Sequence, residues 1–413
     1  MRSTTHHPIF IALCNVVTSL CTHSFELSVI TVASVLAYAV SMHCMESARR
    51  KMLERRICGM DFGKTTPQQR KRIAGKPLSS LEEEEKRLFL PESLGILAGA
   101  VYLCVLVVEL VVVFGHDMRK MDGAVTTITV MLLLGFVDDV LDLRWRHKLL
   151  LSAIGTLPLL LTYEGSVSVA VPRPLLSFFS SSSVYLGVFY LLYLSLLCIF
   201  CTNSINILAG VNGVEVAQSI VIAVTCIVYN VLQMRLEGES LRESAGRSGT
   251  TPHPPVAEGG GSLHELMAIS LLAPFVGVSA ALWRYNQYPA RIFVGDSYTY
   301  FAGTVLSVAG VSGQHGKTLI LFFIPQIVNF IISLPQLFHI VPCPRHRVPC
   351  WNEKLDVLQN SGNYTLLNAI LWLCGDMHER DLTNAVVKVQ VCCCVFALVM
   401  RYLFASYLYD HIR

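Results

Sequence analysis

Residues 94–114 read Leu94-Gly-Ile-Leu-Ala-Gly-Ala-Val-Tyr-Leu-Cys-Val-Leu-Val-Val-Glu-Leu-Val-Val-Val-Phe114, an almost unbroken apolar run. A bilayer core needs about 20 such residues in one helix, and residues 184–201, 220–232 and 386–403 form comparable blocks. The 413-residue chain is 53% hydrophobic and 15% charged, with a mean hydropathy of +0.53. Blocks of this kind exclude soluble, disordered and fibrous readings. The expected fold is an all-α polytopic membrane protein with about ten transmembrane helices, over 24–44, 94–115, 123–139, 148–163, 184–202, 214–234, 263–283, 292–312, 317–338 and 384–408.

Charge divides the connections between those spans. The first loop carries Arg49, Arg50, Lys51, Arg55, Arg56, Lys64, Arg70, Lys71 and Arg72; the third Arg144, Arg146 and Lys148; the ninth Arg345, Arg347, Lys354 and Arg380. Even-numbered loops are poorer in Lys and Arg, which collect on the cytosolic side of membrane proteins. Odd loops therefore face the cytosol. The domain expectation is an N-terminal extension over 1–23 and one membrane domain over 24–413. The latter holds a cytosolic loop with an insertion (45–92), a flexible non-cytosolic linker (235–262) rich in Gly, Ser, Pro and Glu, and a cytosolic ninth loop (339–383). A net charge of +3 gives no support to a nucleic-acid partner. The 14 cysteines lie mostly in apolar stretches; Cys198 and Cys201 form a CxxC, but buried small hydrophobes explain it better than a metal or redox site.

Four segments carry chemistry. Gly135-Phe-Val-Asp138-Asp139-Val-Leu-Asp142-Leu-Arg144-Trp-Arg146-His147-Lys148 closes an apolar helix with three carboxylates. Asp138 and Asp142 share a helix face and Asp139 lies about 100° round. Carboxylates beside Arg and Lys suit a Mg²⁺–phosphate site, although a helix end paired with its own basic tail reads similarly. Cys201-Thr-Asn203-Ser-Ile-Asn206-Ile-Leu-Ala-Gly210-Val-Asn212-Gly213-Val-Glu215 places amides and turn-forming glycines at a span boundary. Amides ligate hard cations or pair with a base edge; capping plus a turn is the plainer alternative. In Arg291-Ile-Phe293-Val-Gly295-Asp296-Ser297 one acid enters a membrane helix, a functional candidate by default and otherwise an N-cap. His339-Ile-Val-Pro342-Cys-Pro344-Arg345-His346-Arg347 offers two arginines for bidentate phosphate binding, or for anionic lipid headgroups. All four fall at odd loops, hence on one membrane face. A transporter would place its charged residues at mid-depth instead.

At these residues the chain resembles the polyprenyl-phosphate sugar-1-phosphate transferases, in their eukaryotic form acting on UDP-N-acetylglucosamine (UDP-GlcNAc) and dolichyl phosphate. Pro91-Glu92-Ser93, the two stretches 141–151 and 333–347, and His378-Glu-Arg380 carry the likeness. Bacterial-type relatives have a histidine-rich ninth loop, unlike 342–347 here. The resemblance implies a multi-pass endoplasmic reticulum protein with its active site facing the cytosol, and is compatible with a homodimer. It implies Mg²⁺ on Asn206 and Asp296, a catalytic set of Asp138, Asp139 and Lys148, and donor contacts from Met60, Asp61, Phe62, Glu92, Asn212, Arg345, His346 and Arg347. Lys148 and the strip Ile199, Phe200, Cys201, Thr202, Asn203, Ser204, Ile205, Asn206 and Ile207 would meet dolichyl phosphate. Met60 and Asp142 depart from animal relatives, and Asp142 would add negative charge near the metal.

Overall fold

The computed structural model describes residues 23–61, 64–65, 67–73, 80, 82, 88–178, 181–248, 260–344, 347–404 and 407. Helix α1 (Ser24–Glu54) is followed by the short α2 (Pro67–Ile73). Two twenty-residue helices, α3 (Gly95–Phe114) and α4 (Asp122–Leu141), are parted by the 3-10 segment Gly115–Met121. Gly115 has φ +52°, the left-handed region in which glycine is unstrained, so the run breaks there. Next come α5 (Trp145–Gly155) and α6 (Leu157–Leu161), split where Pro158 supplies no N–H to continue α5. After them lie α7 (Val188–Ile207), α8 (Val214–Ser248), α9 (Gly260–Asn286) and α10 (Gly295–Ser312). The chain closes with α11 (Gly316–Phe322), α12 (Ile324–Leu337), α13 (Leu366–Cys374) and α14 (Glu379–Val399).

Among the described residues, three two-stranded antiparallel pairs sit in the connections. β1 (Cys58–Met60) pairs with β2 (Phe89–Pro91), Gly59 opposite Leu90. β3 (Ser168–Ala170) pairs with β4 (Ser183–Tyr185), and β5 (Cys350–Asn352) with β6 (Val357–Gln359). The structure is mostly helical, as expected, but these strands qualify an all-α description.

Helix α10 is the axis of the bundle: every residue from Ser297 to Val311 is buried. A helix buried all round needs neighbours that approach closely, and small residues permit that. A Cβ at Gly135 of α4 would lie 2.6 Å from the Asp296 carbonyl oxygen, and one at Gly303 of α10 would strike the Cys201–Thr202 backbone of α7. These two glycines seat α4 and α7 on α10. That packing brings the C-terminal ends of α4 and α7 to the N-terminal end of α10.

Among the described residues, six helices are long and apolar enough to cross a membrane, or seven if the pair α11–α12, bent by 68°, counts as one span. The polytopic expectation is met at this level. Two boundaries change. Within 235–262, expected to be flexible linker, residues 235–248 continue α8 as helix and residues 260–262 open α9; Glu, Leu, Arg and Ala in the former favour helix over coil. The ninth loop is shorter and more ordered than 339–383: it holds the β5–β6 hairpin and α13, and α14 begins at Glu379. Residues 1–22, most of 74–87 and residues 249–259 lie outside the described residues, as do Phe62, Arg345 and His346.

Candidate active site

The C-terminal end of α4 and the N-terminal end of α10 meet through Asp139. Its carboxylate accepts hydrogen bonds from the Asp296 N–H at 2.6 Å and the Ser297 N–H at 3.0 Å. The first N–H groups of a helix have no partner within it, and a carboxylate there also opposes the helix dipole. Gly295, at φ +74°, packs against the same carboxylate with no room for a Cβ. Asp139 therefore fixes where Asp296 stands.

Asp296 is the hub. Lys148 of α5 places its Nζ 2.6 Å from Asp138 Oδ2 and 3.3 Å from Asp296 Oδ2. The Asn206 amide, on the last turn of α7, donates to Asp296 Oδ1 at 2.5 Å and to Thr299 Oγ1 at 3.1 Å. Asp138 is 3% exposed and accepts the Leu143 N–H at 3.0 Å, so its orientation is set from both sides. Glu92 stands beside this group. Burial, with the charges of Asp139 and then Asp296, pushes its carboxyl up to about 7. One lysine among Asp138, Asp139, Asp296 and Glu92 leaves an excess of negative charge, which a divalent cation would offset.

Two readings of the sequence change. Asp142 does not share a face with Asp138, because α4 ends at Leu141 and Asp142 closes it in the left-handed conformation at φ +49°. Asp and Asn both tolerate that conformation; the side chain is exposed. The strip 199–207 is helical and cannot present all its residues to one ligand. Cys201, Thr202, Ser204 and Ile205 are buried, whereas Ile199, Asn203, Asn206 and Ile207, at helical spacing, are only half-buried. Phe200 packs edge-on against Phe323, at the bend between α11 and α12, with ring centroids 6.0 Å apart.

A second group of residues gathers alongside, built from connections. The Phe293 N–H donates to the Pro91 carbonyl at 2.7 Å and the Gly95 N–H to the Val294 carbonyl at 3.0 Å, stitching the first loop to the Gly295-Asp296 turn. Gly59 backs onto the Glu92 carboxylate. Met60 is held in β1, and Asp61, 3% exposed, takes Lys64 at 3.6 Å. The Gly210–Gly213 turn has φ +108° and +86° at its two glycines. Val348 packs on Gly210 where a Cβ would otherwise be, so the segment after Arg347 lies on the asparagine turn. Within that turn the Asn212 N–H donates to Glu379 Oε1 at 2.8 Å. Arg347 is half-buried, and its Nη1 is enclosed with no hydrogen-bond partner among the described residues.

The structure thus brings Asp138, Asp139, Lys148, Asn206, Asp296 and Glu92 together, and sets Met60, Asp61, Asn212 and Arg347 in the adjoining loops. Thr299 and Thr383 belong to these groups and carry no motif of their own, and Glu379, inside the His378-Glu-Arg380 stretch, joins them with no role assigned to it from the sequence. Thr299 follows Asp296 at helical i+3 spacing, the one pattern that pointed to it.

The glycosyl transferase family 4 model matches residues 121–314, the segment that contains α4, α7 and α10. A Leishmania amazonensis protein called UDP-N-acetylglucosamine–dolichyl-phosphate N-acetylglucosaminephosphotransferase is 47% identical over 451 aligned residues, covering 95% of this chain and 96% of its own. Proteins of the same name are 42% identical in Dictyostelium discoideum, over 76% of this chain and 77% of theirs, and 35% identical in Saccharomyces cerevisiae, over 82% and 86%. By identity over nearly its whole length, and by the acid–lysine–amide cluster that the likeness spans, this chain belongs to the UDP-N-acetylglucosamine–dolichyl-phosphate N-acetylglucosaminephosphotransferase family.

Proposed function

We propose that this chain transfers GlcNAc-1-phosphate from UDP-GlcNAc to dolichyl phosphate, giving dolichyl diphosphate-GlcNAc and UMP, the first step towards the lipid-linked precursor of N-glycans. The observation that carries the reading is Lys148 held between Asp138 and Asp296, with the Asn206 amide on the same carboxylate.

A dolichyl phosphate oxygen attacks the β-phosphorus of UDP-GlcNAc, and the bond from that phosphorus to the bridging oxygen of UMP breaks. The anomeric bond is untouched. A phosphate monoester is already anionic near neutral pH, so positioning matters more than proton removal. Lys148 offers a cation to the phosphates. Asp138, gripping Lys148 at 2.6 Å, aims that cation. Arg347 draws the donor diphosphate from the ninth loop. The acceptor phosphate sits between Lys148 and the Asn203–Asn206 face of α7, and its prenyl chain runs towards the Phe200–Phe323 contact at the bend.

A magnesium ion fits the cluster, since Asp296 and Asn206 supply one carboxylate and one amide from two helices. Mg²⁺ usually takes few protein ligands and completes its shell with phosphate and water. Bound there, it would neutralise charge developing on the transferred phosphoryl group and the leaving UMP.

Ten membrane crossings account for the helices. The 47-residue stretch Gly95–Leu141 contains two helices and a turn, α5 with α6 makes one short crossing, and α10 and the bent α11–α12 add two more. Basic residues of the first, third and ninth loops lie at the end that bears Asp296, which favours a cytosolic site in the endoplasmic reticulum membrane.

Purified protein incubated with UDP-GlcNAc, dolichyl phosphate and Mg²⁺ should release UMP in step with dolichyl diphosphate-GlcNAc, and chelation should stop it. Release of UDP in place of UMP would mean transfer of the sugar alone and would overturn the reading.

A further inference from the structure

We infer that the first turn of α14 is the positioning device for the nucleotide of the donor, acting through Glu379 and Thr383 on Asn212; this rests on the reading of Asn212 as a donor contact. Glu379 and Thr383 stand one helical turn apart on the same face. Glu379 Oε1 accepts the Asn212 N–H at 2.8 Å, and Thr383 Oγ1 donates to the Asn212 carbonyl at 3.0 Å. Both backbone groups of one residue are gripped by one helix. Asn212 precedes Gly213 and lies two residues after Gly210, both at positive φ, in a turn that would be loose without an external hold.

Glu379 is not needed to cap its own helix. The ring of His378 already does so, its Nδ1 accepting the Arg380 N–H at 3.2 Å. The carboxylate is nonetheless 5% exposed, and burying it is worthwhile only if it is hydrogen-bonded to some purpose. Asn212 is also 5% exposed, and its Nδ2 is enclosed with no hydrogen-bond partner among the described residues. Buried amide donors are rarely left that way, which points to a ligand acceptor such as a base carbonyl. The same turn of α14 reaches the other loops. Tyr288 lies between Lys64 of the first loop, 5.2 Å from its ring centroid, and Arg380, 5.8 Å away, with His378 edge-on at 4.6 Å. Three connections that build the donor side therefore converge on His378, Glu379 and Arg380.

The test is two-substrate kinetics on the full-length protein for Glu379→Leu, Glu379→Gln and Thr383→Val, each with Asn212 intact and with Asn212→Ala. Losing one charge-assisted hydrogen bond should raise the UDP-GlcNAc KM by about tenfold, with the dolichyl phosphate KM and kcat little changed. Glutamine keeps an acceptor oxygen and should recover most of the loss. Thr383→Val should act in the same direction, about threefold, and carries the prediction if Glu379→Leu does not accumulate. In the Asn212→Ala background each substitution should add little, because the side chain being positioned is gone. A kcat loss without a KM change, an equal rise in both KM values, or full additivity with Asn212→Ala would overturn the inference. If Asn212→Ala alone leaves the UDP-GlcNAc KM unchanged, it is the donor-contact reading that fails.

Discussion

Asp296 and Asn212 stand in neighbouring parts of the candidate site, proposed to meet phosphate and donor respectively, and are fixed by different means. Asp296 begins a helix that is buried along its length, is locked by backbone bonds to Asp139, and is approached within van der Waals limits by Gly135. Asn212 lies in a glycine-bounded turn and is held by two side chains from α14. The phosphate side of the site is therefore set by helix packing, which changes little without disturbing the core. The donor side is set by hydrogen bonds between connections, which can be altered one at a time. On the proposed reading, the chemistry common to any sugar phosphate falls to the rigid side, and recognition of a particular nucleotide sugar to the adjustable one.

The largest loss should follow from changing the rigid side. Asp296→Ala removes the carboxylate that Lys148 and Asn206 share and should lower the transfer rate by about a thousandfold or more, with the protein still inserted in the membrane. Asn206→Ala should behave alike. Near-normal turnover of either variant at limiting Mg²⁺ would remove these residues from the metal assignment.

On the adjustable side the effect should be smaller and selective. Arg347→Ala should raise the UDP-GlcNAc KM by roughly ten- to a hundredfold, as expected for losing a charge-assisted phosphate contact, while the dolichyl phosphate KM stays within about twofold. A selective rise in the lipid KM would assign the ninth loop to the acceptor and invert the comparison.

Glu92 joins the two sides and should report on both through pH. Its carboxyl is raised to about 7 from an ordinary carboxylate's 4.5, chiefly by burial. A raised folded-state pKa means the neutral form favours the fold: the contribution is complete below about 4.5 and is lost as pH rises through about 7. Without substrates or metal, the thermal midpoint of the wild type should fall more between pH 5 and 8 than that of Glu92→Gln, by a few degrees. Parallel profiles would show that Glu92 is solvated in the folded protein.

The difference between the two sides also explains what could be read from the sequence. Apolar runs mark the spans because lipid leaves the chain few options, and acids or amides at their ends mark Asp138, Asp139, Asn206 and Asp296. The end of α4 was less legible: a left-handed residue at Asp142 stops the helix, and no periodicity announces it. The strip 199–207 misleads as a contiguous motif, because contiguous letters do not share a helix face. Glu379 lies in the His378-Glu-Arg380 stretch and Thr383 in no motif, but neither shows its partner locally, since that partner is a turn 167 and 171 residues away in the chain. Side-chain grips across that separation are set by the assembled bundle.

The smallest expected effect is none at all, and it tests the one-face geometry on which the comparison rests. Asn363-Tyr-Thr365 matches the N-glycosylation sequon. Its side chain is already engaged: Nδ2 donates to Ser361 Oγ at 2.8 Å, and Oδ1 accepts from Gln336 Nε2 at 3.0 Å. The Thr365 hydroxyl, which a sequon must present, caps α13 by accepting the Asn368 N–H. Residue 363 also lies between the β5–β6 hairpin and α13, at the end of the bundle with Arg347, whereas glycan transfer occurs in the lumen. Protein from a glycosylating host should migrate identically on a gel before and after glycosidase treatment, and identically to Asn363→Gln. A shift that disappears in the variant would place this loop in the lumen. Arg347 would then lie across the membrane from a cytosolic Lys148, and no single site could contain both.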